Sequence, residues 1–468
     1  MSDWKDTKVL VLGLGDTGLS MTRWLARHGA RVRVADSRDA PPHASALEAE
    51  LPQVRVATGT FGDDLFADAD VIAISPGIDP RAPGVARAVA RGVPLVGDVE
   101  IFARALNDGA AGWTSVSRPK LIAITGSNGK STVTALTGEI ARACGLRTVV
   151  AGNIGLPVLD ALTGIERGTP APEVFVLELS SFQLETAKSL AADAATVLNV
   201  TEDHLDRYDG MDGYAAAKAR VFHGDGVQVL NRADARTMQM ARPRRPVVTF
   251  GADAPAGDNE WGIAHGTLLV RGNEALMPVN EVPVAGLHNA VNALAALALG
   301  DSIGLPAARM LDGVRRFRGL PHRHEMVAAV GGVTFYDDSK GTNVGATVAA
   351  LTGMTVPVVL IAGGDGKGQD FSPLAPAVSA HARAVVLIGR DADRIASALA
   401  SCPVPVLRAA TLEEAIAWAY AASVAGDAVL LSPACASYDM FRSYVHRGQM
   451  FVQGVQALAA RAAQGGQP

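Results

Sequence analysis

The chain contains only three cysteines, Cys144, Cys402 and Cys435, and none of them belongs to a Cys-x-x-Cys pair. This scarcity argues against a disulfide framework or a zinc site and suits a reducing compartment. Basic residues are not in excess either. The formal net charge of -5 argues against broad binding to nucleic acid or to an anionic membrane, so local groups must hold any anionic ligand.

Long apolar runs are also missing, and no uninterrupted stretch is long enough to span a bilayer. The first residues, MSDWKDTKVLVLGLG, lead almost directly into a strand and lack the basic and apolar regions of a signal peptide. We therefore expect a cytoplasmic protein without membrane insertion. Hydrophobic residues make up 49% of the chain and charged residues 19%, which is typical of a folded protein with large cores.

The strongest motif lies at residues 121–132, where the apolar strand LIAIT runs into the glycine-rich turn GSNGKST. Gly126 and Gly129 permit a tight turn that points backbone N–H groups inward. Lys130 adds a charge for phosphate oxygens, and the Ser131 hydroxyl can bind magnesium. Apolar residues at helical spacing follow, which predicts a phosphate at a helix N-terminus. The loop is shorter than the common Walker pattern, so by itself it is an incomplete match.

A second glycine turn, GLGDTG at residues 13–18, follows the first predicted strand and precedes a helix. The next strand ends in Asp36-Ser37-Arg38, and on the dinucleotide template an acidic residue there would bind a ribose hydroxyl. An NAD-dependent enzyme is therefore one alternative. Arg38 suits the phosphate of a different nucleotide equally well.

Two strands of the middle third end in polar residues, the first at Glu178 and the second at Thr201-Glu202-Asp203-His204. At these strand ends both groups can face the phosphate loop, where magnesium on a nucleotide needs hard oxygen ligands. Glu178 suits that ion better than His204, because a lone histidine is more often structural. Lys218 lies on an alanine-rich helix and by residue type alone is predicted to be a solvated surface lysine. Asn289 is predicted to cap its helix, with binding of adenine or phosphate as the alternative.

The last third alternates strands with turns rich in small, hydroxylic and basic residues, which predicts a binding face for a small anionic molecule. Asp338, Lys340 and Thr342 follow one strand, and Ser437 follows another. Residues 107–119 are small, polar and rich in glycine and serine, and they predict a linker.

The order of these motifs resembles the Mur ligase family, the amino-acid ligases of peptidoglycan synthesis, over essentially the whole chain. The stretches that carry the resemblance are Thr125-Gly-Ser-Asn-Gly-Lys-Ser-Thr132, Gly152-Asn-Ile-Gly155, Leu177-Glu-Leu-Ser-Ser-Phe-Gln-Leu-Glu185, Asn199-Val-Thr-Glu-Asp-His204, Leu320-Pro-His-Arg323, Asp337-Asp-Ser-Lys-Gly-Thr-Asn343 and Leu431-Ser-Pro-Ala-Cys-Ala-Ser437. The resemblance implies an α/β fold of three domains, each a mostly parallel sheet with helices. They would be a Rossmann-like domain at 1–106, a linker at 107–119, a P-loop ATPase domain at 120–318 and a Rossmann-like domain at 319–468.

The activity that the resemblance implies is an ATP-dependent ligation. D-glutamate would be joined to UDP-N-acetylmuramoyl-L-alanine through an acyl phosphate, with ATP and two magnesium ions as cofactors. The protein would be a monomer that binds these small molecules and no nucleic acid. Another Mur-type or a folylpolyglutamate-type ligase remains an alternative, and so does a nucleotide-sensing switch without chemistry of its own.

Site residues follow from matching this sequence to the family's motifs. The catalytic residues would be Lys130, Glu178, His204 and Lys218. Magnesium would be bound by Ser131, Glu178, His204 and Lys218, the last as a carbamylated lysine. ATP would be bound by Gly126, Ser127, Asn128, Gly129, Lys130, Ser131, Thr132, Asn289, Arg323 and Asp338. The UDP substrate would be bound by Asp36, Ser37, Arg38 and Asn153, and D-glutamate by Lys340, Thr342 and Ser437. Three residues depart from those expected in the family: Asp16 replaces an apolar residue, Gly341 replaces an alanine and Tyr444 replaces a phenylalanine.

Overall fold

The computed structural model describes residues 4–109, 113, 118–284 and 286–463. Within these ranges it contains three sheets that follow one another along the chain, each covered by helices. The predicted α/β class with three mostly parallel sheets is therefore confirmed. The linker predicted at 107–119 lies for the most part outside the described residues. None of the helices in the described ranges combines the length and apolarity needed to cross a bilayer.

The first sheet has five strands, β1 (Lys8–Leu12), β2 (Arg31–Asp36), β3 (Val56–Thr58), β4 (Val71–Ile74) and β5 (Leu95–Val96). They are parallel in the order β3-β2-β1-β4-β5, which puts a crevice between the ends of β1 and β4. The helices are α1 (Asp16–Arg27), α2 (Ala44–Glu50), α3 (Pro83–Ala90) and α4 (Asp98–Asn107). Alternate residues of β1 pack into two different hydrophobic clusters, so both of its faces are buried and its sequence is a continuous apolar run.

The second sheet has nine strands: β6 (Lys120–Thr125), β7 (Thr148–Gly152), β8 (Val174–Glu178), β9 (Ala194–Val197), β10 (Val227–Asn231), β11 (Val247–Phe250), β12 (Glu260–Ala264), β13 (Leu268–Arg271) and β14 (Glu274–Pro278). Their order is β14-β13-β12-β11-β10-β9-β6-β8-β7, antiparallel only from β12 to β14. Strands β12 and β13 form an antiparallel hairpin. Because β6 lies between β8 and β9, all three carboxyl ends meet at one edge.

Seven α-helices accompany the second sheet in the described ranges: α5 (Lys130–Ala143), α6 (Val158–Glu166), α7 (Ser181–Thr186), α8 (Gly210–Ala219), α9 (Ala235–Gln239), α10 (Leu287–Ser302) and α11 (Ala307–Arg316). The start of α10 confirms the helix predicted at Asn289. The first and second sheets share one hydrophobic cluster, in which the rings of Phe102 on α4 and Phe175 on β8 meet edge to face at 5.2 Å. These two parts of the chain are therefore packed together.

The third sheet has six strands: β15 (Glu325–Val330), β16 (Val333–Asp337), β17 (Val358–Gly363), β18 (Ala382–Ile388), β19 (Val406–Arg408) and β20 (Ala428–Leu431). Their order is β15-β16-β20-β17-β18-β19, with only β15 antiparallel. The helices are α12 (Val344–Thr352), α13 (Leu374–His381), α14 (Ala392–Ala398), α15 (Leu412–Ala421) and α16 (Tyr444–Ala463). The adjacent ends of β16, β20 and β17 carry the loops predicted to bind a small anion.

Candidate active site

The phosphate loop joins β6 to α5 in the way the sequence predicts. Gly129 has φ +80° and precedes the helix, and a Cβ on Gly126 would lie 3.0 Å from the Cβ of Leu198. Glycine is therefore required at residue 129 for its backbone conformation and at residue 126 for space. The ammonium group of Lys130 donates to the carbonyls of Gly126 at 2.8 Å and Ser127 at 2.9 Å, which folds the loop around it.

Burial dominates the electrostatics of Lys130. It lowers the pKa of the ammonium group, while the nearby carboxylates of Glu178 and Asp203 oppose that shift. An ammonium group at the start of a helix adds to the positive potential of the free N–H groups there. This end of α5 is thus suited to a phosphate.

Glu178 ends β8 and is 1% exposed. One of its carboxylate oxygens accepts from the side-chain amide of Asn153 at 2.7 Å. The other oxygen is buried and has no hydrogen-bond partner among the described residues. Leaving a buried carboxylate oxygen unpaired is costly, so this oxygen is suited to a cation.

Lys218 is not a surface lysine, and that prediction is wrong. Its side chain is 1% exposed, and its Nζ donates to the Gly126 carbonyl at 2.9 Å beneath the ring of Tyr214. Burial, followed by the charge of Lys130, places its pKa well below that of a free lysine. The amine is therefore directed at the phosphate loop and loses its proton more readily than a free lysine.

His204 follows β9 in a left-handed conformation with φ +56°. Its Nε2 is 3.6 Å from a carboxylate oxygen of Asp203, and its ring packs edge-on against Phe182 at 4.8 Å. Burial lowers the pKa of the imidazole, although the Asp203 carboxylate opposes the shift. This imidazole, which is less basic than a free histidine, lines the same cavity as Glu178 and Lys218.

This central cavity has a volume of about 500 Å³ and brings together residues of the second and third sheets. Lys340, Thr342 and Ser437 line it opposite the phosphate loop. The Lys340 Nζ lies 3.8 Å from the centre of the Tyr444 ring, so the tyrosine in place of the expected phenylalanine contacts the cation through its face. Residues predicted from distant motifs thus share one cavity.

Lys367 is a further residue of the site, and the motifs of the sequence did not point to it. It follows the glycine-rich end of β17, lines the central cavity, and pairs with Asp203 through an Nζ–Oδ1 distance of 3.3 Å. The signal that could have found it is the lysine that ends the stretch Gly-Gly-Asp-Gly-Lys after a buried strand. With Lys340 it gives the third domain two cations in this cavity.

A smaller cavity of about 140 Å³ lies on the other side of the loop, lined by Asn289, Arg323 and Asp338. Arg323 donates to the Ser131 hydroxyl at 2.6 Å. Burial raises the pKa of Asp338 to about 7. The capping role predicted for Asn289 is wrong, because Gly286 stands at the N-cap of α10 and Asn289 lies inside the first turn.

The third cavity, of about 540 Å³, lies at the crevice of the first sheet. Ser37 lines it beside Asp36, whose carboxylate accepts from the backbone of Leu14 and from Arg38, through the backbone N–H, Nε and Nη2. The Arg38 side chain lowers the pKa of this carboxyl to about 2. Four donors fill the acceptor sites of a carboxylate, so Asp36 has none left for a ribose hydroxyl.

Asn153 lines both this cavity and the central one. Its side-chain amide donates to Glu178, and its backbone N–H donates to the Glu178 carbonyl at 2.8 Å. A single elongated ligand could therefore run from the first domain to the phosphate loop past this residue. Asp16, which departs from the family pattern, lines the cavity at the first sheet. Its exposed carboxylate pairs with His43 at 2.7 Å.

The third sheet docks on the second through direct side-chain contacts. Asn343 donates to the side-chain oxygen of Asn128 at 3.0 Å, and the Arg323–Ser131 and Lys367–Asp203 contacts add to it. These contacts bring the third domain's loops against the phosphate loop. The second and third sheets therefore meet directly at the phosphate loop.

Gly341 is expected to resist substitution by the alanine that the family resemblance suggests. A Cβ there would lie 2.7 Å from a carboxylate oxygen of Asp338 and 2.7 Å from the hydroxyl of Ser432, which are hydrogen-bonded to each other. Gly341→Ala should lower the free energy of unfolding by about 1–3 kcal/mol through overpacking. Chemical denaturation checks this, with Gly257→Ala as the control, since a Cβ at Gly257 meets nothing within 4 Å. Equal stability of the two variants would contradict the prediction.

Family models match three successive parts of the chain: the MurD-like N-terminal domain of Mur ligases at residues 7–97, the Mur ligase middle domain at 124–300, and the glutamate ligase domain at 322–435. Proteins named UDP-N-acetylmuramoylalanine--D-glutamate ligase are similar along their length. The one from Thiobacillus denitrificans is 59% identical over 98% of this chain and 98% of its own. The one from Nitrosospira multiformis is 55% identical over 98% of this chain and 97% of its own.

Solved structures share the fold at much lower identity. The UDP-N-acetylmuramate-alanine ligase of Thermotoga maritima has a TM-score of 0.59 and 19% identity, over 96% of this chain and 99% of that one. The curated relatives are more than half identical to this chain over nearly the full length of both proteins. This identity shows the family, which the fold likeness alone does not. The chain belongs to the Mur ligase family.

Proposed function

We propose that the protein joins D-glutamate to UDP-N-acetylmuramoyl-L-alanine in an ATP-dependent reaction that belongs to peptidoglycan precursor synthesis. The relatives that are more than half identical carry the name of that ligase. The observation that carries the proposal is the central cavity, where the phosphate loop and Glu178 face Lys340, Thr342 and Ser437 of the third domain. A phosphoryl donor and an anionic amino acid would meet there.

The first half of the reaction activates a carboxylate, because a carboxylate does not react with an amine at neutral pH. A carboxylate oxygen of the substrate's L-alanine attacks the γ-phosphorus of ATP, the bond to the β-phosphate oxygen breaks, and ADP leaves. Both partners are anionic. Lys130 and the N–H groups of the loop would neutralise the approach and stabilise the charge on the transferred group.

The residues present fit magnesium beside the phosphates. Glu178 offers a buried oxygen without a partner among the described residues, and His204 and Lys218 line the same cavity. Ser131 follows Lys130 at the start of α5, where its hydroxyl accepts from Arg323. Bound magnesium would supply positive charge for the phosphate oxygens. We propose two such ions, with a carbamylated Lys218 providing an added carboxylate.

The second half forms the amide. The neutral amine of D-glutamate attacks the acyl carbon, phosphate leaves with the bonding electrons, and the amine proton passes to solvent or phosphate. Lys340, Thr342 and Ser437 would hold the carboxylates of the amino acid, and Lys367 adds a second cation beside them. The docked third domain would keep water from the acyl phosphate.

ATP and the UDP substrate would occupy the two remaining cavities. Asn128, Asn289, Arg323 and Asp338 surround the smaller one, which we assign to the nucleoside end of ATP. Ser37 and Arg38 would hold the UDP end in the first domain, with Asp36 orienting Arg38. The NAD alternative loses support because Asp36 has no acceptor left for a ribose hydroxyl.

We also propose three domains at 1–106, 120–318 and 319–468, and a monomer working in the cytoplasm, where ATP is at hand. The positions of the three sheets and of the three family matches support the division. Light scattering on a sizing column tests the monomer, since a mass of twice the chain would contradict it.

Phosphate release from ATP tests the proposed reaction. The assay contains UDP-N-acetylmuramoyl-L-alanine and, in separate reactions, D-glutamate, L-glutamate, L-lysine or meso-diaminopimelate. Release with D-glutamate alone is expected. Release with another amino acid would keep the family and change the substrate, whereas silence in every reaction would favour a nucleotide switch without chemistry.

Raising the pH should weaken D-glutamate binding. Burial, and then the charges of Arg323 and Lys130, lower the pKa of Lys340 to about 8. Lys340 is charged below this value and neutral above it, so a carboxylate loses its partner as the pH rises. The KM for D-glutamate is expected to increase about tenfold per pH unit above that pKa. Lys340→Arg, which stays charged, should remove the increase, and a flat wild-type profile would contradict the prediction.

A further inference from the structure

Arg447 lies in the first turn of α16 and is 1% exposed, although it carries a charge. Its Nε donates to the Ser339 hydroxyl at 3.0 Å, and its Nη2 donates to the Ser339 carbonyl at 2.8 Å. Both Nη atoms also donate to the Cys435 carbonyl at 3.2 Å. The guanidinium therefore spans two segments of the chain that are far apart in sequence.

These two segments are the loops that line the amino-acid side of the central cavity. Ser339 directly precedes Lys340 in the loop after β16, and Cys435 lies two residues before Ser437 in the loop after β20. Ser339 and Cys435 are both fully buried. A bond to each of them fixes the distance between the backbones on either side of the pocket.

The start of α16 also positions Lys340. The Ser339 hydroxyl donates to the Tyr444 carbonyl at 2.8 Å, and the Tyr444 ring supports the Lys340 ammonium group at 3.8 Å. Arg447 is three residues further along the helix. The first turn of α16 therefore contacts the lysine loop through both its backbone and its side chains.

All the hydrogen-bond acceptors of Arg447 are neutral, and no carboxylate among the described residues forms an ion pair with it. Burial lowers the pKa of the guanidinium to about 10. The carboxylates of Asp439, Asp337 and Asp338 act on it without an ion-pair contact. Burying a charge without a contacting counter-ion is costly, so stability alone does not account for an arginine here. A planar group with several donors in a fixed fork is, however, well suited to joining two loops.

We propose that Arg447 is a positioning residue for the amino-acid substrate: it sets the spacing between the Lys340–Thr342 loop and the Ser437 loop without touching the substrate. The inference rests on the proposed function, since it assigns the pocket between those loops to D-glutamate. Its positive charge adds to the attraction of that pocket for an anionic amino acid.

The test is steady-state phosphate release with each of the three substrates varied in turn. In Arg447→Met the KM for D-glutamate is expected to rise about 10- to 100-fold, because displaced binding groups lose the aligned geometry. The KM for the UDP substrate should stay within about twofold, since its cavity contains neither Arg447 nor the two loops that Arg447 joins. The KM for ATP should rise less than that for D-glutamate, since only the Lys340 loop lines its cavity. For Arg447→Lys, which keeps the charge and loses the fork of donors, the KM for D-glutamate should lie between those of the wild type and of Arg447→Met.

Two further variants keep the test decisive. Ser339→Ala removes the acceptor of Nε and leaves the arginine in place, so a smaller rise in the same KM is expected even if Arg447→Met fails to fold. Arg383→Met is the control, because it removes an arginine of the same domain that is bound to Asp427, away from the pocket. Equal changes in all three KM values, or an unchanged KM for D-glutamate in folded variants, would overturn the inference. A wild-type protein inactive with D-glutamate would instead overturn the proposed function.

Discussion

A Lys130→Met variant is expected to lose about 10³-fold in kcat for phosphate release, the largest effect anticipated for a single side chain. The ammonium group is the only lysine charge inside the phosphate loop itself, where it bonds two loop carbonyls. Methionine keeps the length of the side chain and removes the charge. The transferred phosphoryl group would then lose a fixed positive partner at the moment when its charge is redistributed.

The control for this loss is Lys188→Met, since Lys188 is exposed and outside the three cavities. That variant should match the wild-type rate. Thermal denaturation of Lys130→Met separates lost chemistry from a collapsed loop, because the two carbonyls would lose a donor. A folded Lys130→Met enzyme that retains more than about a tenth of the wild-type kcat would show that the loop does not hold the reacting phosphate.

Lys218→Met is expected to cost about 10²- to 10³-fold in kcat. The lowered pKa favours a neutral amine, which can attack the carbon of CO2, form a C–N bond and release a proton to water. The resulting carbamate would turn a buried base into a carboxylate facing Glu178 across the cavity. Methionine fills a similar volume and offers neither group.

Labelling the protein with isotopic bicarbonate tests whether Lys218 is carbamylated. Carbon NMR of the labelled wild-type protein should show one carbamate signal that Lys218→Met lacks. Lys120→Met serves as the matched control, because Lys120 is an exposed lysine at the start of β6 and should leave the signal and the rate unchanged. A wild-type spectrum without the signal, together with a Lys218→Met enzyme of normal rate, would remove both the modification and the role.

The sequence was most informative where function depends on local order. The phosphate loop could be predicted because two glycines, a lysine and a serine act within one turn, and the structure places that turn between β6 and α5. Glu178 could be predicted as well, since the end of a buried strand in a parallel sheet always meets the ends of its neighbours. Both inferences need only the period of the apolar residues and the chemistry of the next few positions.

Lys218 and Lys367 show where sequence reasoning fails. The helix of Lys218 is rich in alanine, so no apolar stripe marks the buried face on which the lysine lies. Lys367 owes its place in the cavity to Asp203, which is 164 positions away in the chain. Tertiary packing places both lysines in the cavity, and neither residue type nor spacing in the sequence predicts that packing.

The identity of the substrates came from the family resemblance and not from the residues themselves. Arg38 and the glycine turn fitted NAD and other nucleotides equally well in the sequence. Only the structure shows that the Asp36 carboxylate is already filled by Leu14 and Arg38. A hydrogen-bond count of this kind needs coordinates, because one of the four donors, the backbone N–H of Leu14, lies 22 positions earlier in the chain.

The shared wall of the central cavity has a consequence for inhibitor design. Lys340 and Ser437 belong to one domain and the phosphate loop to another, so a compound shaped to the whole cavity has a complete binding surface only while the two domains are together. Breaking the Arg323–Ser131 and Lys367–Asp203 contacts would separate the two halves of that surface. The affinity of such a compound would therefore depend on how firmly the two domains hold together as well as on its contacts with either half.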